Sequence, residues 1–123
     1  MNAGRVPDDE RHRQAFFDSL VSGDAAHLSL CLGIALHTRH ANARPGLALH
    51  ISQAALQAGQ LQRVLERRFD QAVVFDGCYI YLDAQGALVI WHALPAELQA
   101  VDQVLSRMLS LADLDALDGF ANR

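Results

Sequence analysis

Between residues 27 and 51 the apolar side chains recur at every second position. Leu28, Leu30 and Leu32 come first, then Ile34 and Leu36 leading to Thr38, then Leu47, Leu49 and Ile51. A period of two puts alternate side chains on opposite faces of an extended chain, so three short antiparallel strands are expected. Gly33 suits a tight turn or a bulge between the first two, and NARPG at 42–46 is a turn cluster. Around these strands the period lengthens. In ERHRQAFFDSLV (10–21) Ala15, Phe16, Leu20 and Val21 share overlapping helical turns, which Gly23 and Asp24 stop. From Ser52, a plausible N-cap, Leu56, Leu61, Val64, Leu65 and Phe69 form one stripe of a second helix. Gly59 weakens that helix by about 1 kcal/mol relative to alanine, which suggests close packing there.

After Asp70 the short period returns in AVVF, CYIYLD and ALVIWHAL, joined by Asp76–Gly77 and by a turn at Ala84–Gly86. Asp-Gly between apolar runs is a strong hairpin signal. Pro95 can open a third helix. It would carry Leu98, Val101, Val104, Leu105, Met108, Leu109, Leu111, Leu114 and Leu117 to about Asp118, and Gly119 would end it. The expected order is α-β-β-β-α-β-β-β-α, an α+β fold with helices laid on an antiparallel sheet. Residues 10–118 make a single domain, 1–9 a flexible arm and 119–123 a loose tail.

The stretch YIYLDAQGALVIWHALPAEL (79–98) carries apolar side chains on both faces of its hairpin. Leu28, Leu30, Leu32, Ile34, Leu36, Leu47 and Leu49 supply one sheet face, whereas Tyr79/Tyr81, Ile80/Leu82, Leu88/Ile90 and Val89/Trp91 supply two. Helices on both sides could bury everything, as in a three-layer domain. The preferred reading is that a second polypeptide covers the surplus, since large exposed apolar patches mark interaction sites. Trp91, Tyr79 and Tyr81 are residue types favoured at such contacts.

Composition narrows the function. The 123 residues are 51% hydrophobic and 20% charged, enough for one real core. No apolar run approaches the ~20 residues of a membrane span, and MNAGRVPDDERHR is not a secretory signal. All ten basic residues are arginine, and the net charge is −4, a poor basis for binding phosphate backbones. Arg63, Arg67 and Arg68 read as a solvated helix face. Cys31 and Cys78 form no CxxC unit and are expected as reduced thiols.

Six histidines invite a metal or catalytic hypothesis. His37 and His40, three apart on a strand, point to opposite faces, and His50 and His92 lack an acidic or thiol partner at a recognised spacing. Cys78 with His92 is the one imaginable nucleophile pair, but a free cysteine is ordinarily a small buried apolar group. Asp76 and Asp83 flank turns, where aspartate serves the backbone, and Gly77 and Gly86 fit no phosphate loop. No catalytic, cofactor-binding or metal-ligating residue is assigned.

The run FDQAVVFDGCYIYLDAQGALVIWHALPAELQAVDQVLSRMLSLADLDAL, together with the N-terminal helix, three strands and middle helix before it, resembles the class I chaperones of bacterial type III secretion. The YscB-like and HrpG-like members, of CesT-type fold, are the nearest parallel, over about residues 10–118. The resemblance implies a cytoplasmic bacterial protein, dimeric or heterodimeric, acting without ATP hydrolysis and without cofactor, nucleic acid or membrane insertion. Its partner would be a secreted effector, a translocator or a regulatory protein. It would hold a secreted protein, or sequester an anti-activator as Hrp-type systems do. By the family pattern clients lie against the first helix and first strands, here Phe16, Phe17, Leu20, Leu28, Leu30, Ile34, Leu36, Leu47 and Leu49, often as an added strand. Dimers form through the middle helix and later strands, here Leu61, Val64, Leu65, Val74, Tyr79, Tyr81, Val89 and Trp91. The alternative is a roadblock- or profilin-like scaffold, with two strands rather than three before the middle helix. A small Cys/His enzyme is a remote third.

Overall fold

The structure, a computed structural model, describes residues 5–97 and 99–117. Its elements are α1 (Arg5–Ser22), β1 (His27–Cys31), β2 (Ile34–Thr38), β3 (Gly46–Ile51), α2 (Gln60–Asp70), β4 (Cys78–Leu82), β5 (Leu88–Ala93) and α3 (Gln99–Leu111). Short 3-10 turns occupy Gln53–Ala55 and Asp115–Leu117. The strands form one antiparallel sheet in the order β1-β2-β3-β5-β4. The α+β class is the expected one. Three strands precede α2, the number the chaperone layout requires and the scaffold alternative lacks.

Register explains where the core lies. Leu28 faces Leu36, Leu36 faces Leu49, Leu49 faces Ile90 and Ile90 faces Ile80, an unbroken apolar row across all five strands. A second row runs Ile34, Ile51, Leu88 and Leu82. On these rows pack Phe16 and Leu20 of α1, Val64 of α2, and Val101, Val104, Leu105, Met108 and Leu109 of α3. Each such side chain, fully buried, contributes about 1.5–3 kcal/mol.

α1 and α3 end in the same way. Gly23 stands at φ 79°, its N–H donating to Leu20 O while the Asp24 N–H donates to Ser19 O. Asp113 stands at φ 64°, with its N–H on Ser110 O and the Leu114 N–H on Leu109 O. Both are Schellman closures, in which a left-handed residue turns the chain and satisfies the last carbonyls. α3 therefore stops at Leu111 and not near Asp118. It also begins at Gln99, beyond Pro95. The expected Leu98 contact, the Gly119 stop and the 119–123 tail lie outside the described residues.

Three further expectations change. α1 starts at Arg5, so most of the expected arm is helical, with Pro7 in the first turn where its missing N–H costs nothing. The middle helix starts at Gln60, because Ser52 heads only a single 3-10 turn and Leu56 leaves it extended. Gly59 serves that start by its φ of 75° rather than by close packing, since a methyl group there would meet only Arg63, at 3.4 Å. Finally, AVVF is not a strand. Residues 71–77 wind through turns, with Phe75 N–H on Gln71 O and the Cys78 N–H that opens β4 on Phe75 O. β4 already forms the sheet's edge, so Asp76–Gly77 leads into it and closes no hairpin. With five strands, not six, the order is α-β-β-β-α-β-β-α.

The 39–45 connection carries a local cost. Ala41 and Arg44 exchange backbone hydrogen bonds at 2.9 and 3.0 Å around Asn42 (φ 53°) and Ala43 (φ 69°). Two successive left-handed residues define a type I′ turn, for which asparagine is suited and alanine is not. Ala43→Gly should stabilise the protein by about 0.5 kcal/mol, after allowing for the greater freedom of glycine in the unfolded chain. A thermal melt would show a rise of about 2–4 °C; a fall would contradict this account.

Candidate functional site

Among the described residues the helices cover only one side of the sheet. On the other side register places His27 and Ser29, Ala35 and His37, Gly46, Ala48 and His50, Val89 and Trp91, and Tyr79 and Tyr81. The cluster buried there consists of Ala48, Val89 and Trp91, flanked by Ala41 and Ala93, and contains no helical residue. The face is closed by its own rings lying over small residues. Trp91, 5% exposed, crosses Gly46, where an added methyl group would come within 2.3 Å of the indole. Its Nε1–H donates to Arg39 O at 2.8 Å. The Tyr79 ring lies 6.0 Å away, and the Arg39 guanidinium sits 5.9 Å from the centre of Tyr81. Between the 39–44 turn and these rings opens a cleft of about 440 Å³.

Beside the cleft the imidazoles form a row. His37 lies 6.4 Å from His27 and 6.0 Å from His50, ring centre to ring centre. Its Nε2 is buried without a hydrogen-bond partner. Burial first, then His27, His50 and Arg39, push His37 below the ordinary imidazole value. His50 Nε2 lies 3.3 Å from Asp83 Oδ2, while Asp83 Oδ1 accepts the Gln85 and Ala87 N–H groups at 2.9 Å each. The Ala87 N–H above all, with Gln85 and His50, holds that carboxyl below its usual range. The His50–Asp83 pair was invisible in the sequence, because 33 residues separate partners that the sheet brings together. His40 lies beyond β2 and is exposed. Among the described residues no group of three or more His, Cys, Asp or Glu side chains could hold a metal ion.

Cys78 and His92 are register neighbours in the β4–β5 pair. The thiol is only 2% exposed, and burial pushes its pKa up against the weaker pull of Arg107 and Arg68. A thiol so held is a poor nucleophile. Both cysteines are free, Cys31 on the surface. The three arginines of α2 do more than face solvent. Arg68 Nε donates to Cys78 O at 3.0 Å, Arg67 donates to Ser110 O, and Arg63 and Arg67 lie 3.5 and 3.7 Å from Asp113. They tie α2 to β4 and to the end of α3.

The residues expected at a client surface divide sharply. Phe16, Leu20, Leu28, Ile34, Leu36, Leu47 and Leu49 are all in the core, while Phe17 and Leu30 are partly buried against it. A shallower groove of about 250 Å³ runs between α1 and β1, lined by His12, Phe16, Ser19, His27 and Leu28 among others. Of the expected dimer residues, Val64, Val89 and Trp91 are buried and Leu61 half-buried, whereas Leu65, Val74, Tyr79 and Tyr81 are exposed. Phe69 (83% exposed), Val73 (91%) and Leu82 join them on the surface and were not singled out as contacts. Reading AVVF as a turn rather than a strand is what would have revealed Val73.

A family model described as HrpV-like matches residues 2–116. The chain belongs to the HrpV-like family. No curated protein matches this HrpV-like chain in sequence. Among solved structures it is similar to the heterodimeric complex ExoU–SpcU from the type III secretion system of Pseudomonas aeruginosa. The identity there is 16%, with 77% of this chain and 83% of that chain covered and a TM-score of 0.49. No helix among the described residues is long and apolar enough to cross a membrane.

The row of imidazoles sets a pH dependence. The folded state holds His37 below its unfolded pKa, so its contribution is complete above about pH 6.5 and lost as the pH falls below that value. Asp83, also lowered, adds a separate loss only below about pH 4. Thermal melts should be flat from about pH 8 to 7 and decline from about 6.5 to 5. His37→Gln should flatten that decline while leaving the acid limb below pH 4 in place. An equal decline in the variant would assign the effect to other groups.

Proposed function

We propose that this HrpV-like chain is a type III secretion chaperone-like regulator of the bacterial cytoplasm. It binds and sequesters a secreted protein or a regulatory partner such as an anti-activator, and it does so without ATP hydrolysis or other catalysis. The observation that carries this reading is the distribution of exposed apolar surface. Of nine large exposed apolar residues among those described, seven fall within residues 65–82: Leu65, Phe69, Val73, Val74, Tyr79, Tyr81 and Leu82. They lie on α2, the turns after it and the edge strand β4. Scattered exposed apolar residues are ordinary; one contiguous stretch of the chain carrying most of them marks a contact surface.

On this reading α2 and β4 meet a second subunit, a twin or a cognate chain. Leu65 and Val74 make contact from the helix-covered side, and Tyr79 and Tyr81 flank it from the opposite face. Leu61, Val64, Val89 and Trp91 stand behind them as support. The client lies along the groove between α1 and β1, touching Phe16, Phe17, Leu28 and Leu30 at their exposed margins. Leu20, Ile34, Leu36, Leu47 and Leu49 shape that groove from within.

The test is the oligomeric state of the purified chain, by light scattering, alone and after co-expression with proteins encoded beside it. A dimer or a stoichiometric complex is expected. Phe69→Asp with Val73→Asp should weaken that assembly by about 100-fold, while changing the melting temperature of the separate chain little, because both positions are open to solvent. A wild-type chain that stays monomeric and retains no co-expressed protein would refute the reading.

A further inference from the structure

The cleft on the helix-free face shares Tyr79 and Tyr81 with the proposed α2–β4 contact, but its arginine rim lies outside that contact. Its floor is aromatic, built from Trp91, Tyr79 and Tyr81, and its rim carries Arg39 and Arg44 with His40 beside them. The chain as a whole is acidic, with 14 carboxylate residues against ten arginines. Yet none of the strand residues that register turns to this face is acidic. Asp83, one residue past β4, is engaged by two backbone N–H groups and by His50. Neither Arg39 nor Arg44 pairs with a carboxylate among the described residues. Arg39 is instead held over the Tyr81 ring, where its guanidinium lines the cleft. A cationic rim without internal counter-charge, around a rigid aromatic floor, fits a ligand that brings carboxylates and an apolar side chain together.

We propose that this cleft docks a short acidic peptide segment of a partner protein, its carboxylates on Arg39 and Arg44 and one apolar side chain against Trp91, Tyr79 and Tyr81. A peptide is favoured over a nucleic acid because the binding charge is confined to one rim of a molecule of net charge −4, too little to hold a continuous phosphate backbone. This goes beyond the α2–β4 contact. The ridge of Leu65, Phe69 and Val73 adjoins the helix-covered side, and the cleft opens on the other, so the two can be tested apart.

Trp91 is the only tryptophan in the chain, so its emission reports the floor of the cleft directly. The full chain would be titrated with a synthetic acidic peptide carrying one central phenylalanine, with the same peptide bearing lysine in place of each acid, and with a single-stranded oligonucleotide. The acidic peptide should give a saturable change in Trp91 emission that weakens as salt is raised. Each exposed arginine–carboxylate pair is worth a factor of about three, so Arg39→Gln with Arg44→Gln should weaken binding about tenfold. The Trp91 hydrogen bond goes to the Arg39 backbone, so this variant keeps its floor, and an unchanged melting temperature would verify that. Binding of the acidic peptide undiminished in the double variant, equal binding of the lysine peptide, or no saturable signal would each overturn the proposal. Tighter binding of the oligonucleotide would overturn it in favour of nucleic acid.

Discussion

Three helices packed on one side of a five-stranded sheet leave the other side to seal itself. Every helical side chain in the main core lies with the Leu28, Leu36, Leu49, Ile90 row. The opposite face therefore cannot be aliphatic throughout without losing free energy to water. Nor can it be wholly polar, because the central strands β3 and β5 are shielded by their neighbours. The solution in this chain is graded. Small residues, Gly46, Ala48 and Val89, occupy the middle, and amphipathic rings, Trp91, Tyr79, Tyr81, His37 and His50, lie over and around them. Rings of this kind bury a broad apolar face while keeping a polar edge for water or the backbone, as the indole does with Arg39 O.

The helical side depends on a different device. Gln60 is the one buried polar side chain among the described residues, 2% exposed. It accepts the Gln57 N–H and donates to Ala112 O, both at 2.9 Å. Arg67 donates to Ser110 O, two residues before Ala112, and Asp113 sits between Arg63 and Arg67. One face of α2, from Gln60 to Arg67, thus supplies donors to the end of α3, where unsatisfied carbonyls and the negative end of the helix dipole make them most useful. The lock fixes α2 against α3, and with it the height at which Leu65 and Phe69 emerge from the protein.

What could be read from the sequence follows the same division. Strands β1 to β3 were legible because inward-facing leucines and isoleucines alternate with smaller or polar residues, and that alternation is set by local geometry; β5 was legible from its apolar run after the Ala84–Gly86 turn. The edge β4 was legible too, but its neighbour AVVF was not, because apolar content alone does not say whether a strand partner is free. Likewise the stripe of α2 showed which residues share a face but not where α3 ends, and only that end decides that Val64 is sealed while Phe69 is open. The residues expected at the client surface follow the elements, and the seven that are buried are those on the inner face of α1 (Phe16, Leu20) or on the inward positions of β1 to β3 (Leu28, Ile34, Leu36, Leu47, Leu49). The cleft was least legible. Arg39, Arg44 and Trp91 meet through a type I′ turn and a strand pairing β3 to β5, contacts across some fifty residues that no local pattern encodes.

The two exposed regions differ in what they can bind stably. The ridge from Leu65 to Val74 offers aliphatic and phenyl side chains, and it runs beside the edge strand β4. Burying it needs a broad, well-fitted surface, the chemistry of a lasting subunit contact. The cleft offers a small aromatic floor and two arginines, whose pairing with carboxylates is weakened by salt and confined to a few side chains. Contacts of that kind suit reversible binding of a short segment, as proposed above. The one-sided helical cover keeps the two surfaces apart, so that a subunit on the ridge and a segment in the cleft, as proposed, would not compete for the same face.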